Sequence, residues 1–219
     1  MFWYLVLAHL FADYPLQPTW MVSNKTRWMV LALHALIHFA VGLVVVGSAR
    51  SAIWPQLLIL AFLHMAIDIG KISINKLRPK WVIMPYLFDQ ILHFMAMGVI
   101  AIWMNSQFSE ELLAPHPFWI VLIIAYLLVT YVWYISERIL TYANLAYREE
   151  VVNQIWTRMV TRAAFLSVLL ILLGWLSPIS LSPVLFVSLP YFSSKYRLRI
   201  LFTDLAVSVG GLIFIIWTL

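Results

Sequence analysis

Apolar runs of about twenty residues alternate with short polar or proline-marked breaks along the whole chain. They predict spans near residues 2–21, 28–48, 52–72, 83–104, 117–136, 159–176, 181–192 and 199–218. A helix rises about 1.5 Å per residue, so about 20 apolar residues cross a hydrocarbon core roughly 30 Å thick. The pattern therefore reads as an all-α polytopic transmembrane helix bundle, one membrane domain over 1–219, with seven or eight spans. The count turns on 181–192, which is short for a crossing and sits among Pro178, Pro183 and Pro190. The first span is interrupted by Pro15 and Pro18 and carries the polar Asp13 and Gln17. It predicts a short or re-entrant helix whose freed backbone groups face protein or water.

Charge sorts the loops. Lys25 and Arg27 follow the first span, and Lys71, Lys76, Arg78 and Lys80 follow the third. Arg148, Arg158 and Arg162 lie between the fifth and sixth, and Lys195, Arg197 and Arg199 precede the last. The intervening loops hold Arg50, or Glu110 and Glu111, or no charge. By the positive-inside rule this alternation puts the N-terminus outside, and it works best with eight spans.

Composition agrees with a lipid solvent. The chain is 64% hydrophobic and 11% charged, with a mean hydropathy of +0.94, well beyond the balance of a soluble domain. Aromatic residues gather at segment ends, as in Phe2-Trp3-Tyr4, Trp81 with Tyr86, and Tyr131 to Tyr134, where interfacial belts form. There is no cysteine, which excludes disulfides, iron–sulfur clusters and thiolate zinc sites. The net charge of +5 reports topology and not a nucleic-acid partner, since no basic patch with interleaved aromatics accompanies it. No signal peptide is evident: the N-terminus lacks a basic region, and the first apolar stretch contains His9 and Asp13.

The chemistry is concentrated in residues 1–104, against a more apolar half over 105–219 whose one histidine is His116. Four spans repeat one spacing: His9 with Asp13, His34 with His38, His64 with Asp68, and Asp89 with His93. Residues at i and i+4 share a helix face one turn apart. Each pair can aim two ligand atoms at one point, and four helices can bring five imidazoles and three carboxylates together in the bundle interior. An ionisable residue near the bilayer centre costs roughly 2.5–3.5 kcal/mol on insertion scales, so eight of them need mutual compensation. A divalent metal supplies it, and nitrogen and oxygen ligands without sulfur suit zinc, manganese or iron, as one or two ions. A single histidine in a span is more often a packing residue. It is the fourfold repetition that favours a metal site over a proton relay, heme ligation or polar packing.

Other polar residues flank the pairs. Gln17 lies one turn beyond Asp13, and Gln90 adjoins Asp89. Lys71 shares the face of His64 and Asp68 and, with Lys25, Asn75 and Arg78, lies toward one membrane face, where an anionic substrate group can be held. Positive-inside anchoring alone accounts for Arg78 and Lys80. Glu137 and Arg138 are read equally as a local ion pair or an interior polar contact.

The series His9-Leu-Phe-Ala-Asp13-Tyr-Pro-Leu-Gln17, Lys25, His34-Ala-Leu-Ile-His38, His64-Met-Ala-Ile-Asp68-Ile-Gly-Lys71 and Phe88-Asp89-Gln90-Ile-Leu-His93 resembles an uncharacterised bacterial inner-membrane family, a domain of unknown function, over residues 5–95. More distantly the His-rich spans are similar to the YdjM-like membrane-bound metal-dependent hydrolases. The first resemblance implies a bacterial cytoplasmic (inner) membrane protein, and the second implies metal-dependent hydrolysis.

Together these readings favour a metal-dependent membrane hydrolase acting on a lipid-linked or amphiphilic phosphate or ester. The metal ligands are drawn from His9, Asp13, His34, His38, His64, Asp68, Asp89 and His93. Asp13 or Asp89 serves as proton acceptor, and Lys71 as charge stabiliser. Lys25, Lys71, Gln17 and Gln90 lie toward the substrate. The alternatives are an ion- or proton-coupled transporter or channel, a heme electron carrier, and a metal-stabilised scaffold for a partner subunit. An oligomer is compatible with each.

Overall fold

The computed structural model describes residues 1–108, 117–175 and 197–219. The expected segment 181–192, together with His116, Glu110, Glu111 and Lys195, lies outside the described residues. Those described form helices α1 (Phe2–Asp13), α2 (Thr19–Ser23), α3 (Trp28–Val45), α4 (Arg50–Leu77), α5 (Ile83–Gln107) and α6 (Pro117–Leu127). After a π-helical stretch at Leu128–Val132 come α7 (Trp133–Leu140), α8 (Leu145–Asn153), α9 (Ile155–Leu172) and α10 (Arg197–Thr218). No strand occurs among the described residues. The all-α expectation holds.

Among the described residues, six stretches are long and apolar enough to cross a membrane: Trp28–Val45, Gly47–Leu77, Ile83–Gln107, Pro117–Leu140, Ile155–Leu172 and Leu198–Thr218. The first expected span departs from the rest. Pro15 has no N–H to continue the ladder, so α1 ends at Asp13 and Leu16 N closes the turn on Phe11 O at 3.1 Å. Pro18, in extended conformation, then starts the short α2. Two expected boundaries also move. α4 runs to Leu77, so Lys71 and Lys76 are helical and not in a loop. α9 begins at Ile155, so Arg158 and Arg162 lie inside a helix and are almost fully buried, where the loop reading had placed them between spans.

The chain divides into two compact units, Met1–Ile120 and Val121–Leu219. In the first, α1 packs on α3 and α5, and α4 packs on α3 and α5, closing a four-helix ring. Gly47, at φ 59°, makes the turn from α3 toward α4 that side chains rarely adopt. Polarity in this ring is inverted relative to a water-soluble bundle. His34, His64, Asp68, Asp89 and His93 are buried, while Phe62, Val99 and Ile102 are exposed. Apolar surface turned outward has lipid as its natural partner, and the same holds for Trp28, Trp156 and Trp217, exposed near the ends of long helices.

In the second unit α9 packs on α10, and the π-helical stretch packs on both. A Cβ added at Gly211 would stand 2.6 Å from Val129 Cγ1, so only glycine admits this approach. α8 is started by Asn144, whose side chain accepts from Tyr147 N at 3.1 Å.

Candidate metal centre

Each of the four i, i+4 pairs sits on one helix of the first unit's ring, and all four turn into its axis. The break after α1 leaves Asp13 at the end of its helix, where imidazoles from three helices reach it. Its Oδ1 lies 2.9 Å from His34 Nε2, 3.2 Å from His38 Nε2 and 3.7 Å from His64 Nε2. Its Oδ2 lies 3.4 Å from His9 Nε2. One carboxylate thus faces four imidazole Nε2 atoms. Asp68 Oδ2 lies 3.5 Å from His64 Nε2 and 3.6 Å from His34 Nε2. Asp89 Oδ1 lies 3.3 Å from His93 Nε2. The rings close the cluster: His64 stacks between His38, with centroids 3.6 Å apart, and His93, at 4.2 Å.

Three sets place one ligand atom from each member within 4.8 Å of the others: His9, Asp13, His38 and His64; His34, His64 and Asp68; Asp68, Asp89 and His93. All eight expected residues are therefore brought together, with His64 and Asp68 each belonging to two sets. The Nε2–Oδ separations of 2.9–3.7 Å around Asp13 match the edges of a coordination shell. Ligands about 2.05 Å from a tetrahedral ion stand about 3.3 Å apart.

The donor chemistry fits as well. His9 Nε2, His93 Nε2 and Asp89 Oδ1 are buried without a hydrogen-bond partner among the described residues. Each such group costs about 1–3 kcal/mol when left unsatisfied. A cation that accepts imidazole and carboxylate lone pairs removes that cost. A cavity of about 20 Å³ is lined by His9, His38, His64 and His93 and by apolar side chains including Leu57 and Met97. One water fits a space of that size.

The flanking residues have specific partners. Lys25 Nζ donates to Asp68 Oδ2 at 2.7 Å, and Lys71 Nζ to Asp89 Oδ2 at 2.7 Å. Lys71 therefore bridges from α4 to α5 and does not stand free beside His64 and Asp68. Gln17 Nε2 lies 2.9 Å from His34 Nε2, and His34 Nε2 lies 3.0 Å from His64 Nε2. Gln90 Nε2 donates to Asp89 Oδ2 at 3.0 Å. Tyr14, which the sequence reading quotes without giving it a role, donates to Gln90 Oε1 at 3.4 Å. Asn75 and Arg78 are exposed.

Sequence reasoning missed a second polar cluster, in the Val121–Leu219 unit. Arg158 meets Asp204 through Nε at 3.2 Å and NH2 at 2.6 Å, and meets Glu137 through NH1 at 2.9 Å. Arg162 NH1 reaches Asp204 Oδ1 at 2.9 Å, and its Nε donates to Val129 O at 2.5 Å. The π-helical shift frees backbone carbonyls of this kind. Tyr147 donates to Glu137 Oε1 at 2.7 Å. Asp204, alone in an apolar span, was the available signal, since a carboxylate at that depth requires a cation. Glu137 is thus an interior contact, whereas Arg138 lies against the Tyr134 ring.

The chain belongs to DUF3307, a family described as protein of unknown function, which matches residues 1–117. The match bears out the expected membership of an uncharacterised family and covers nearly the whole His/Asp unit. No curated protein and no solved structure matches the chain.

Proposed function

We propose that this DUF3307 member is a membrane-embedded, metal-dependent hydrolase with one divalent ion in the His/Asp core, acting on a lipid-linked or amphiphilic phosphate or ester. The observation that supports it most is the convergence of one ligand atom each from His9, Asp13, His38 and His64 within 4.8 Å of one another, with three of those imidazoles lining a water-sized cavity. Charge favours one ion over two. Asp13, Asp68 and Asp89 face two ammonium groups, Lys25 and Lys71, which leaves one negative charge with the imidazoles neutral. One divalent ion with a bound anion balances that charge. A second ion leaves an uncompensated excess in a low-dielectric interior. Zinc, manganese and iron suit the ligands.

Asp13, His9, His38 and His64 form the best-matched ligand set, with His34 held close by Asp13 and Gln17. An ion there lowers the pKa of a bound water and polarises the substrate oxygen. Asp89 is better placed than Asp13 to accept the proton. Its Oδ1 has no hydrogen-bond partner among the described residues, while its Oδ2 is fixed by Lys71 and Gln90. Lys71, with its side chain 28% exposed against 15% for Lys25, is the more accessible of the two lysines paired with the core and meets the substrate anion there. The basic residues that follow the first and third expected spans support the orientation proposed for it, N-terminus outside, and the family resemblance supports a bacterial inner membrane.

One observation favours proton conduction as a second reading. Tyr14, Gln90 and Asp89 form a hydrogen-bonded row toward His93. A single preparation separates the two. Purified protein is incubated with dialkyl and polyprenyl phosphates or phosphate esters, with and without chelator, and then tested for proton flux in proteoliposomes. Chelator-sensitive product supports hydrolysis. Flux without product supports conduction and removes the hydrolase reading.

A further inference from the structure

The Val121–Leu219 unit contains a groove of about 810 Å³, within the range of small-molecule sites. It runs along two candidate spans, Pro117–Leu140 and Leu198–Thr218. At one end it is lined by Thr141, Tyr147, Arg199 and Thr203, and at the other by Leu128, Val129, Gly210 and Gly211. The polar end coincides with the C-terminus of α7 and the first turn of α10. About eight to twelve residues of α10 separate the two ends, roughly 12–18 Å at the helical rise. A groove with a polar mouth at the end of two spans and an apolar floor between them has the polarity of a lipid.

Two charged residues line the groove, Glu137 and Arg199, and Glu137 belongs to the buried ion cluster behind it. Arg158 and Arg162 are matched by Glu137 and Asp204. Both oxygens of Glu137 are already engaged, by Tyr147 and Arg158. Arg199 is the surplus. It is exposed, lies 4.1 Å from the centroid of the Tyr147 ring, and has no carboxylate within ion-pair distance among the described residues. Held over an aromatic face, a guanidinium still has N–H donors for a bidentate anion. The Thr203 and Thr141 hydroxyls are spent on the carbonyls of Arg199 and Glu137. The Trp133 indole N–H, also in the wall, has no acceptor among the described residues. The N–H donors left over in the groove wall are those of Arg199 and Trp133.

We infer that this groove binds an anionic, phosphate-bearing lipid, with its headgroup on Arg199 and its chain along Gly210 and Gly211. Two sources share that chemistry: a bulk phospholipid such as phosphatidylglycerol, and a single-chain polyprenyl phosphate. The site is independent of the His/Asp core, and its test does not depend on metal or turnover.

The test measures binding of three probes to the full-length protein in detergent: phosphatidylglycerol, a polyprenyl phosphate and zwitterionic phosphatidylcholine. Native mass spectrometry and competition with a fluorescent lipid give the readout. Wild type should bind the anionic probes in preference to phosphatidylcholine. Arg199→Gln should reduce that preference about tenfold, the equivalent of one charge-assisted contact, and Arg199→Lys should recover part of it. A Cβ at Gly210 meets nothing within 4 Å, so Gly210→Phe fills the floor without a backbone clash and should lower binding of all three. An unchanged melting temperature in both variants separates loss of the site from misfolding. Preference for the polyprenyl chain over phosphatidylglycerol identifies a single-chain ligand, and equal binding identifies a membrane phospholipid. Unaltered anion preference in Arg199→Gln overturns the inference, as does unaltered binding in Gly210→Phe or a groove that takes up no lipid in wild type.

Discussion

Asp13→Asn separates a metal centre from a hydrogen-bonded packing cluster. The substitution keeps side-chain volume, replaces one carboxylate oxygen with a donor, and removes the charge that faces four imidazoles at 2.9–3.7 Å. With free metal a thousandfold above Kd, the ion stabilises the wild type by about 4 kcal/mol, or roughly 10 °C for a chain of this size. Loss of a supporting group alone weakens metal affinity by up to about 100-fold. Taking that as a floor for a direct ligand leaves about 1.4 kcal/mol of metal stabilisation in the variant. The assay is thermal unfolding in detergent, for both proteins, with and without chelator. Chelator should lower the wild-type midpoint by roughly 10 °C and the variant's by about 4 °C or less. A metal-free network behaves differently: the mutation then costs about 1–3 kcal/mol whether or not chelator is present. The coupling between chelator and substitution is therefore the readout. Equal chelator shifts in the two proteins, or none in wild type, would refute the reasoning.

Three further outcomes follow from the geometry. Lys71→Ala should leave metal content near wild type while turnover falls, since Lys71 touches Asp89 and the rim; simultaneous loss of metal would make it a structural partner of the cluster. Gly211→Ala should destabilise by about 1–3 kcal/mol through the 2.6 Å approach to Val129, whereas Gly210→Ala should be near neutral by the same melting assay. Burial, then the bond to Glu137, pushes the Tyr147 phenol up to about 12. A raised folded-state pKa contributes stability that is complete below the unfolded value near 10 and is lost as pH rises toward 12. Tyr147→Phe should remove that alkaline loss, seen as a flatter midpoint between pH 10 and 12; an unchanged slope would assign it to other groups.

Much of the His/Asp core was legible because its signal is local. The i, i+4 spacing fixes a shared helix face without any knowledge of neighbours, and its repetition on four apolar segments requires the four faces to meet. The Pro15 break likewise announced the short α1 that delivers Asp13. What the sequence could not supply was the pairing across helices. Lys71 reads as an anchoring charge or a substrate contact from its own helix alone, and only the approach of α5 shows its contact with Asp89. Arg158 and Arg162 look like loop charges because they follow the charged run Arg148, Glu149 and Glu150. Their burial depends on Asp204, more than forty residues away in sequence. Long-range complementarity of this kind leaves no periodic trace in either segment.

The central claim is tested most directly by counting metal in the purified full-length protein by elemental analysis, beside His64→Ala. His64 belongs to two of the three ligand sets and stacks between His38 and His93. The account predicts about one zinc, manganese or iron per wild-type chain, as its charge balance requires, and a large loss in the variant. Wild-type protein that carries no stoichiometric metal and takes up none on titration would contradict it.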